Sequence, residues 1–127
     1  MGADPTIVGM SRFAAMFLLP VSELFLLLAM GHFLGDFGLQ SDRMAVEKCP
    51  RSAATLPWPW WLTAHGAIHG FLVAVITGLP LLGLAEWLAH ALVDYGKCRG
   101  RYGLNTDQAL HLLCKLAWAL IASAPLA

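Results

Sequence analysis

The chain has 127 residues, enough for one domain. Hydrophobic residues (AVILMFWYC) make up 58% of it and charged residues 13%, whereas ordinary soluble proteins contain about 25% charged residues. Eight Lys and Arg balance eight Asp and Glu, and this zero net charge excludes a strongly basic nucleic-acid-binding protein. The composition is that of an integral membrane protein. The five histidines are unexpected, because ionisable side chains are costly inside a bilayer and usually functional.

Residues 1–20 are predicted to form an extension that precedes the membrane domain. The stretch 7–19 is apolar but too short to span a bilayer, contains Arg12, and is followed by Pro20. We predict an interfacial helix here, with a weak extra span as the alternative. The acidic start, and the absence of a small-residue cleavage site after the apolar run, are unlike a secretory signal peptide.

Four apolar stretches follow, each close to the 20 residues that cross a hydrocarbon core of roughly 30 Å. They cover residues 21–40, 58–76, 79–96 and 107–126. The sequence therefore predicts an all-α, four-helix integral membrane bundle over residues 21–127. Basic residues occur in the first and third loops and not in the second, which predicts that loops one and three face the cytoplasm. We expect a multi-pass protein of the bacterial inner membrane.

The three cysteines are Cys49, Cys98 and Cys114. They have no CxxC spacing, and their odd count does not suggest an extracellular disulfide framework. All three are predicted to be reduced thiols.

A polar pattern recurs in all four predicted spans. Each histidine has a His or Asp four residues away in the sequence, and residues at i and i+4 lie on one face of a helix. Each span therefore presents a pair of ligand-type side chains, and the pairs fall in a cytoplasmic layer on the order of 15 Å deep. The predicted metal ligands are His32, Asp36, His65, His69, His90, Asp94, Asp107 and His111.

Neutral imidazole and carboxylate groups are ligands of Zn, Mn, Fe and Ni. We predict one or two divalent ions, with Zn favoured and Mn or Fe as alternatives. A bound dication would offset the cost of placing three Asp side chains in the membrane. The alternative is a metal-free network of hydrogen bonds between the His and Asp side chains.

The polar pairs also form an internal repeat. The segments 32–38 and 90–96 share the pattern His-x3-Asp-aromatic-Gly, and the span after each carries a pair that ends in a histidine. The first and third spans run in the same direction. The sequence therefore predicts two pseudo-repeated helical hairpins related by a twofold axis along the membrane normal.

Four more polar residues lie near the predicted ligands. Glu86 and Lys115 each lie four residues from a predicted histidine ligand, and we predict that they are catalytic, as a general base and as a partner for a phosphate or oxyanion. The alternatives are that they pair with each other, or that Lys115 extends towards the interface. Gln40 and Gln108 lie just outside the ligand pairs and are predicted to orient the ligands.

These motifs resemble those of a family of small bacterial and phage integral membrane proteins, known only as the domain of unknown function DUF3307. The resemblance covers residues 24–120, and residues 1–22 extend beyond the usual start of the family. It implies a small helical membrane protein with these polar motifs and brings no established activity. The motifs are H-x3-D-F-x-L-Q at 32–40, Lys48, H-x3-H at 65–69, H-x3-D at 90–94 with Lys97, and D-Q-x2-H at 107–111.

The predicted function is that of a membrane-embedded metal-dependent hydrolase, in which the metal activates a water molecule. A site near the cytoplasmic interface favours a lipid-linked phosphate or ester as substrate. The alternatives are a module that binds or transports a metal ion or proton and, ranked third, a haem-binding bundle. Membrane lipid is the predicted partner, nucleic acid is not, and the glycine-rich spans are compatible with a homo-oligomer.

Overall fold

The computed structural model of the chain describes Gly2 and residues 19–51 and 53–125. The predicted interfacial helix at residues 7–19 lies outside the described residues, except for Leu19. Within the described part, the regular structure consists of helices with no strand. The helices are α1 (Val21–Phe33), continued by a π-helical turn (Leu34–Gly38), α2 (Asp42–Glu47), α3 (Trp58–Thr77), α4 (Pro80–Cys98) and α5 (Leu104–Ser123). The four long helices match the four predicted stretches, and α2 is a short helix that the sequence analysis did not predict.

The turn between α3 and α4 shows why these helices form a hairpin. Gly78 has φ 71° and ends α3, and its N–H donates to the carbonyl of Ala74 at 2.8 Å. Glycine adopts this left-handed conformation without the steric cost of a Cβ atom. Pro80 then begins α4 at a position where the missing N–H is not needed. The chain therefore reverses its direction over two residues, Gly78 and Leu79.

The four long helices pack in a ring. α3 makes its most extensive contacts with α4, and α1 packs against both α3 and α5, while α5 also packs against α4. Gly70 and Gly83 let α3 and α4 touch through their backbones. A Cβ atom on Gly70 would lie 2.6 Å from the carbonyl oxygen of Gly83, so only glycine fits there.

The interior of the ring is divided along its length. At the end that holds the Gly78 turn, a small apolar core contains Leu24, Leu28, Val73, Leu82 and Ala119. Towards the other end, the buried side chains are mostly polar or charged. The outside of the ring is apolar instead, with Leu81 80% and Leu92 73% exposed. This is the reverse of the distribution in a water-soluble bundle.

Two of the helical segments are long and apolar enough to cross a membrane. They are Val21–Gly38 and Trp58–Thr77. The other two predicted spans, α4 and α5, have similar lengths, with 19 and 20 residues. They are less apolar, because α4 contains Glu86, Asp94 and Lys97, and α5 begins with polar residues.

The prediction of three reduced thiols is wrong for two of them. Cys49 and Cys98 form a disulfide, with their Cα atoms 5.1 Å apart. Cys49 lies just after α2, and Cys98 is the last residue of α4, so the fold brings together residues 49 apart in sequence. Cys114 in α5 is a free, half-buried thiol. A pairing over this distance depends on how α2 packs, which residue spacing does not reveal.

Candidate metal centre

The structure brings all eight predicted ligands together inside the ring. Each of the four long helical segments supplies two of them, and each side chain is at most 7% exposed. Burial of this many ionisable side chains is costly unless they are paired or bound to a metal. We call this set the His–Asp cluster: His32, Asp36, His65, His69, His90, Asp94, Asp107 and His111.

Four members of the cluster meet closely enough to share one ion. The side chains of Asp36, His65, His69 and His90 each offer an atom within 4.8 Å of the others. Oδ1 of Asp36 lies 3.1 Å from Nε2 of His65 and 3.0 Å from Nε2 of His69. Nε2 of His65 lies 3.1 Å from Nε2 of His90. A tetrahedral zinc site with bonds of 2.0–2.1 Å has neighbouring ligand atoms roughly 3.3 Å apart, so these separations fit one.

Two further groups overlap with the first. His32, His90 and His111 form one group, and Asp36, Asp107 and His111 form the other, again with donor atoms within 4.8 Å of one another. His90 and Asp36 each belong to two groups. The donor atoms therefore suit one ion, or two ions with shared ligands.

The π-helical turn positions Asp36. Leu39 donates its N–H to the carbonyl of Leu34, five residues earlier, at 2.8 Å. Such single wide turns within α-helices are frequent at functional sites. Asp36 lies inside this turn, and its carboxylate remains 3.4 Å from Nε2 of His32. The i, i+4 pair survives, but the sequence analysis did not foresee the π-helical turn.

The internal repeat has a counterpart in the contacts. In the first repeat, Asp36 contacts His65 of the following long helix at 3.1 Å. In the second repeat, Asp94 contacts His111 of the following helix through Oδ1, at 3.2 Å. Each repeated aspartate therefore contacts a histidine from the next long helix in the chain.

The two predicted orienting glutamines differ in what they contact. Nε2 of Gln108 donates to Oδ2 of Asp36 at 2.8 Å, and its Oε1 lies 3.0 Å from Nε2 of His32. Gln108 therefore holds two cluster side chains in place. Gln40 donates to the backbone carbonyl of Asp36 at 2.9 Å and contacts no cluster side chain by hydrogen bond.

Glu86 and Lys115 lie on the apolar-core side of the cluster and pair with each other. Lys115 donates to Oε1 of Glu86, and Nε1 of Trp118 donates to Oε2 at 2.5 Å. Oε1 of Glu86 also lies 3.2 Å from Nδ1 of His90. This geometry favours the alternative in which the two residues pair, and it puts Glu86 behind His90 rather than among the cluster's donor atoms.

Two lysines belong to the site although the sequence analysis assigned them only to loops and to the family motifs. Lys48 is 3% exposed, and its Nζ lies 2.5 Å from Oδ2 of Asp94. Nζ of Lys97 lies 3.2 Å from Oδ2 of Asp107, with its side chain 30% exposed. The disulfide joins the residues that directly follow them, Cys49 and Cys98. The proximity of the two lysines to the cluster depends on the disulfide and on the packing of α2. Both are tertiary features, so no local sequence pattern indicates it.

A polar cavity opens beside the cluster. It has a volume of about 270 Å³ and is lined by both lysines together with Asp36 and Gln108. Asp36 and Gln108 therefore lie where the cavity borders the cluster. A second, apolar groove of about 310 Å³ lies between α3 and α4, away from the cluster, around Gly70 and Trp87.

The chain matches a family described as "Protein of unknown function (DUF3307)" over residues 24–125. No curated protein and no solved structure matches the chain.

Proposed function

The chain belongs to the DUF3307 family, and we propose that it is a membrane-embedded, metal-dependent hydrolase. Its substrate would be a lipid-linked phosphate or ester near the cytoplasmic face of the bacterial inner membrane. The His–Asp cluster would hold one or two divalent ions, with Zn favoured by the large share of imidazole donors.

The distribution of charge within α4 and α5 supports a four-span membrane bundle. These helices are less apolar than the other two because of their charged residues. The charged side chains at Glu86, Asp94, Asp107 and Lys115 are at most 1% exposed, so they face the interior of the ring and not the surroundings. A helix of 20 residues is about 30 Å long, which matches a hydrocarbon core. The exposed faces of both helices are rich in leucine, as lipid contact requires.

The approach of His65 to His90 carries the proposal for a metal. Their Nε2 atoms lie 3.1 Å apart, and both side chains are at most 1% exposed. Two neutral imidazoles can meet this way if one donates a hydrogen bond, or if both direct lone pairs at one cation. The position of Nε2 of His69 favours the second explanation, a shared cation. This atom lies 3.0 Å from Oδ1 of Asp36 but outside the angular range of a hydrogen bond, as two ligands of one ion would.

A bound dication in the cluster would lower the pKa of a coordinated water and polarise a phosphoryl or acyl oxygen. The surrounding chain contributes ligand orientation through Gln108 and two ammonium groups, on Lys48 and Lys97. The cavity gives a substrate head group a route to the cluster.

The same geometry argues against the two alternative functions. A transport path would have to continue past Glu86 and Lys115, where the apolar core of Leu24, Leu28 and Val73 follows. A haem with paired axial histidines requires the two rings to lie on opposite sides of the macrocycle. In this cluster His69 and His90 stack directly, with ring centroids 3.6 Å apart.

The test is elemental analysis and an absorption spectrum of the protein purified in detergent. We expect one or two equivalents of Zn, Mn or Fe per chain and no haem band. His65→Ala and His90→Ala should each lose metal. Thr63→Ala, an exposed position on the same helix as His65, should keep it. Metal-free wild-type protein would refute the proposal.

Activity is tested separately on the metal-loaded protein in phosphatidylcholine nanodiscs. The assay measures phosphate release from phosphatidic acid and fatty-acid release from a diacylglycerol ester. We expect hydrolysis of at least one substrate that is abolished by chelation and by His90→Ala. Metal binding without either activity would refute the proposed hydrolase function and leave only metal binding.

A further inference from the structure

We propose that the polar cavity beside the His–Asp cluster is a phosphate-binding subsite, in which Lys48 and Lys97 hold the phosphate group of the substrate. This inference rests on the proposed function and narrows its substrate class from phosphates and esters to phosphates. It depends on the position of the cavity, on the charges around it and on its size.

The position of the cavity puts a bound anion next to the metal ligands. Asp36 lines the cavity and is also part of the four-residue group that could share one ion. Gln108 lines it too, with its Nε2 on Oδ2 of Asp36 at 2.8 Å. The two ammonium groups come from two different segments, Lys48 from the one after α2 and Lys97 from the end of α4, which the disulfide joins.

The charges at the site predict an anionic ligand once metal is bound. Without metal, the carboxylates of Asp36, Asp94 and Asp107 exceed the ammonium groups of Lys48 and Lys97 by one negative charge. One dication reverses this to one positive charge in excess, and a second dication adds two more. The pair of Glu86 and Lys115 is neutral and does not change the balance. A phosphate supplies the one or two negative charges that are missing, whereas a carboxylic ester supplies none.

Metal binding would also release the lysines for this role. Each ammonium now contacts a carboxylate of the cluster, Lys48 on Asp94 and Lys97 on Asp107. A carboxylate that coordinates a dication has less negative charge to offer an ammonium. Asp42 also lines the cavity, but it is exposed, so solvent and salt screen its repulsion of an anion.

The cavity is large enough for a phosphate head group. Its volume of about 270 Å³ is below the 300–1,000 Å³ that is usual for pockets of drug-sized ligands. Two apolar residues of its lining are well exposed, Phe37 at 63% and Leu104 at 54%. A lipid chain attached to a bound phosphate could lie on them. Inorganic phosphate and a lipid phosphate share the chemistry that the lysines recognise.

The experiment measures phosphate binding to Lys97 variants in phosphatidylcholine nanodiscs. Lys97 is chosen because its side chain is 30% exposed, so its replacement is easier to tolerate than that of buried Lys48. Inorganic phosphate is titrated by calorimetry with and without added zinc, and bound metal is counted in each sample. Lys97→Gln removes the charge, and Lys97→Arg keeps it. Arg99→Gln is the matched control, since Arg99 is exposed and does not line the cavity.

We expect Lys97→Gln to weaken phosphate binding by about 10- to 100-fold, the size of one lost charge-assisted hydrogen bond. Lys97→Arg should bind within a few-fold of wild type, and Arg99→Gln should bind like wild type. A second titration replaces inorganic phosphate with phosphatidic acid in the nanodiscs. Tighter binding of phosphatidic acid identifies a lipid head group as the source, and equal or weaker binding identifies free phosphate. Either result supports the subsite if it depends on Lys97.

The subsite is overturned if phosphate does not bind, or if Lys97→Gln binds it as well as Arg99→Gln does. This outcome does not contradict the proposed metal site, provided that the samples still contain bound metal. Conversely, phosphate binding that depends on Lys97 in a protein without metal would keep the lysines as the phosphate site, show that no dication is needed to release them from the carboxylates, and refute the proposed function.

Discussion

Gly35 lies directly against the imidazole ring of His69. A Cβ atom on Gly35 would lie 2.5 Å from Cε1 of His69 and 2.6 Å from its Nε2. The ring has little room to move, because one of its faces stacks on His90 with centroids 3.6 Å apart. Because Gly35 has no side chain, Nε2 of His69 can lie 3.0 Å from Oδ1 of Asp36.

The first prediction is that Gly35→Ala lowers metal affinity while leaving the helices intact. The added methyl group must push the His69 ring away from Asp36, and a displaced ligand typically costs 10- to 100-fold in metal affinity. The measurement is zinc affinity by competition with a chelator, with helix content followed by circular dichroism. Gly38→Ala is the control, because its Cβ would meet only the flexible end of Leu34, at 3.1 Å. Equal zinc affinity in both variants would contradict the role of Gly35.

The helices and the membership of the His–Asp cluster could be predicted because helix geometry fixes them locally. A polar residue every fourth position lies on one helix face wherever the helix packs, and in an apolar surrounding that face turns inward. This is why pairs such as His32 with Asp36 and His90 with Asp94 were found, and why the structure gathers them.

The features that were missed depend on contacts between distant segments. Lys48 reaches Asp94 over 46 residues, and Cys49 pairs with Cys98 over 49 residues. Both contacts require the α2 segment to fold back over the end of α4. The π-helical turn at Leu34–Gly38 is local, but it adds one residue to a helical turn, which a period of 3.6 does not reveal.

The second prediction concerns the disulfide between Cys49 and Cys98. In the purified, oxidised protein, a cross-link that closes a loop of 49 residues stabilises the fold by roughly 4 kcal/mol, mainly by restricting the unfolded chain. Cys49→Ser should therefore lower the melting temperature in detergent, and a reducing agent should lower that of wild type to the same value. Cys114→Ser, at the free half-buried thiol, is the control and should respond to reduction as wild type does. A melting temperature unaffected by reduction would contradict the prediction.

The third prediction is a pH dependence in the first loop. Glu47 Oε2 accepts hydrogen bonds from Thr55 Oγ1 at 2.6 Å, from Thr55 N–H at 2.9 Å and from Trp61 Nε1 at 2.9 Å. The hydrogen bond from the Thr55 hydroxyl, with help from the other two donors, lowers the pKa of Glu47 below its ordinary value of 4.5. The ionised carboxylate thus holds the loop to α3. This contribution is complete above pH 4.5 and is lost as the pH falls through the lowered pKa.

The measurement for Glu47 is the chemical shift of the Thr55 amide and the Trp61 indole N–H against pH. Both signals should move together with a midpoint below 4.5, and in Glu47→Gln neither should titrate in this range. A midpoint at or above the ordinary value would show that these hydrogen bonds do not persist in solution.

The fourth prediction separates the two roles considered for Glu86 and Lys115. Both are at most 1% exposed and contact each other. If they are a structural pair, Glu86→Gln leaves an uncompensated buried ammonium and should destabilise the fold by about 3–5 kcal/mol. Lys115→Met should destabilise the fold similarly, because it leaves the buried carboxylate of Glu86 without its cationic partner. Removal of both charges should cost much less than the sum, with a coupling free energy above about 1 kcal/mol.

The measurement is a double-mutant cycle of unfolding in detergent, combined with the phosphate-release assay for each variant. Glu23→Gln, at an exposed position of α1, is the control for loss of a carboxylate without a buried partner. A structural pair predicts that the double variant regains both stability and activity. A general base at Glu86 predicts that the double variant regains stability and binds metal but stays inactive, because it lacks the group that accepts the proton. Since Glu86 lies behind His90 and is held by Lys115 and Trp118, we expect the first result.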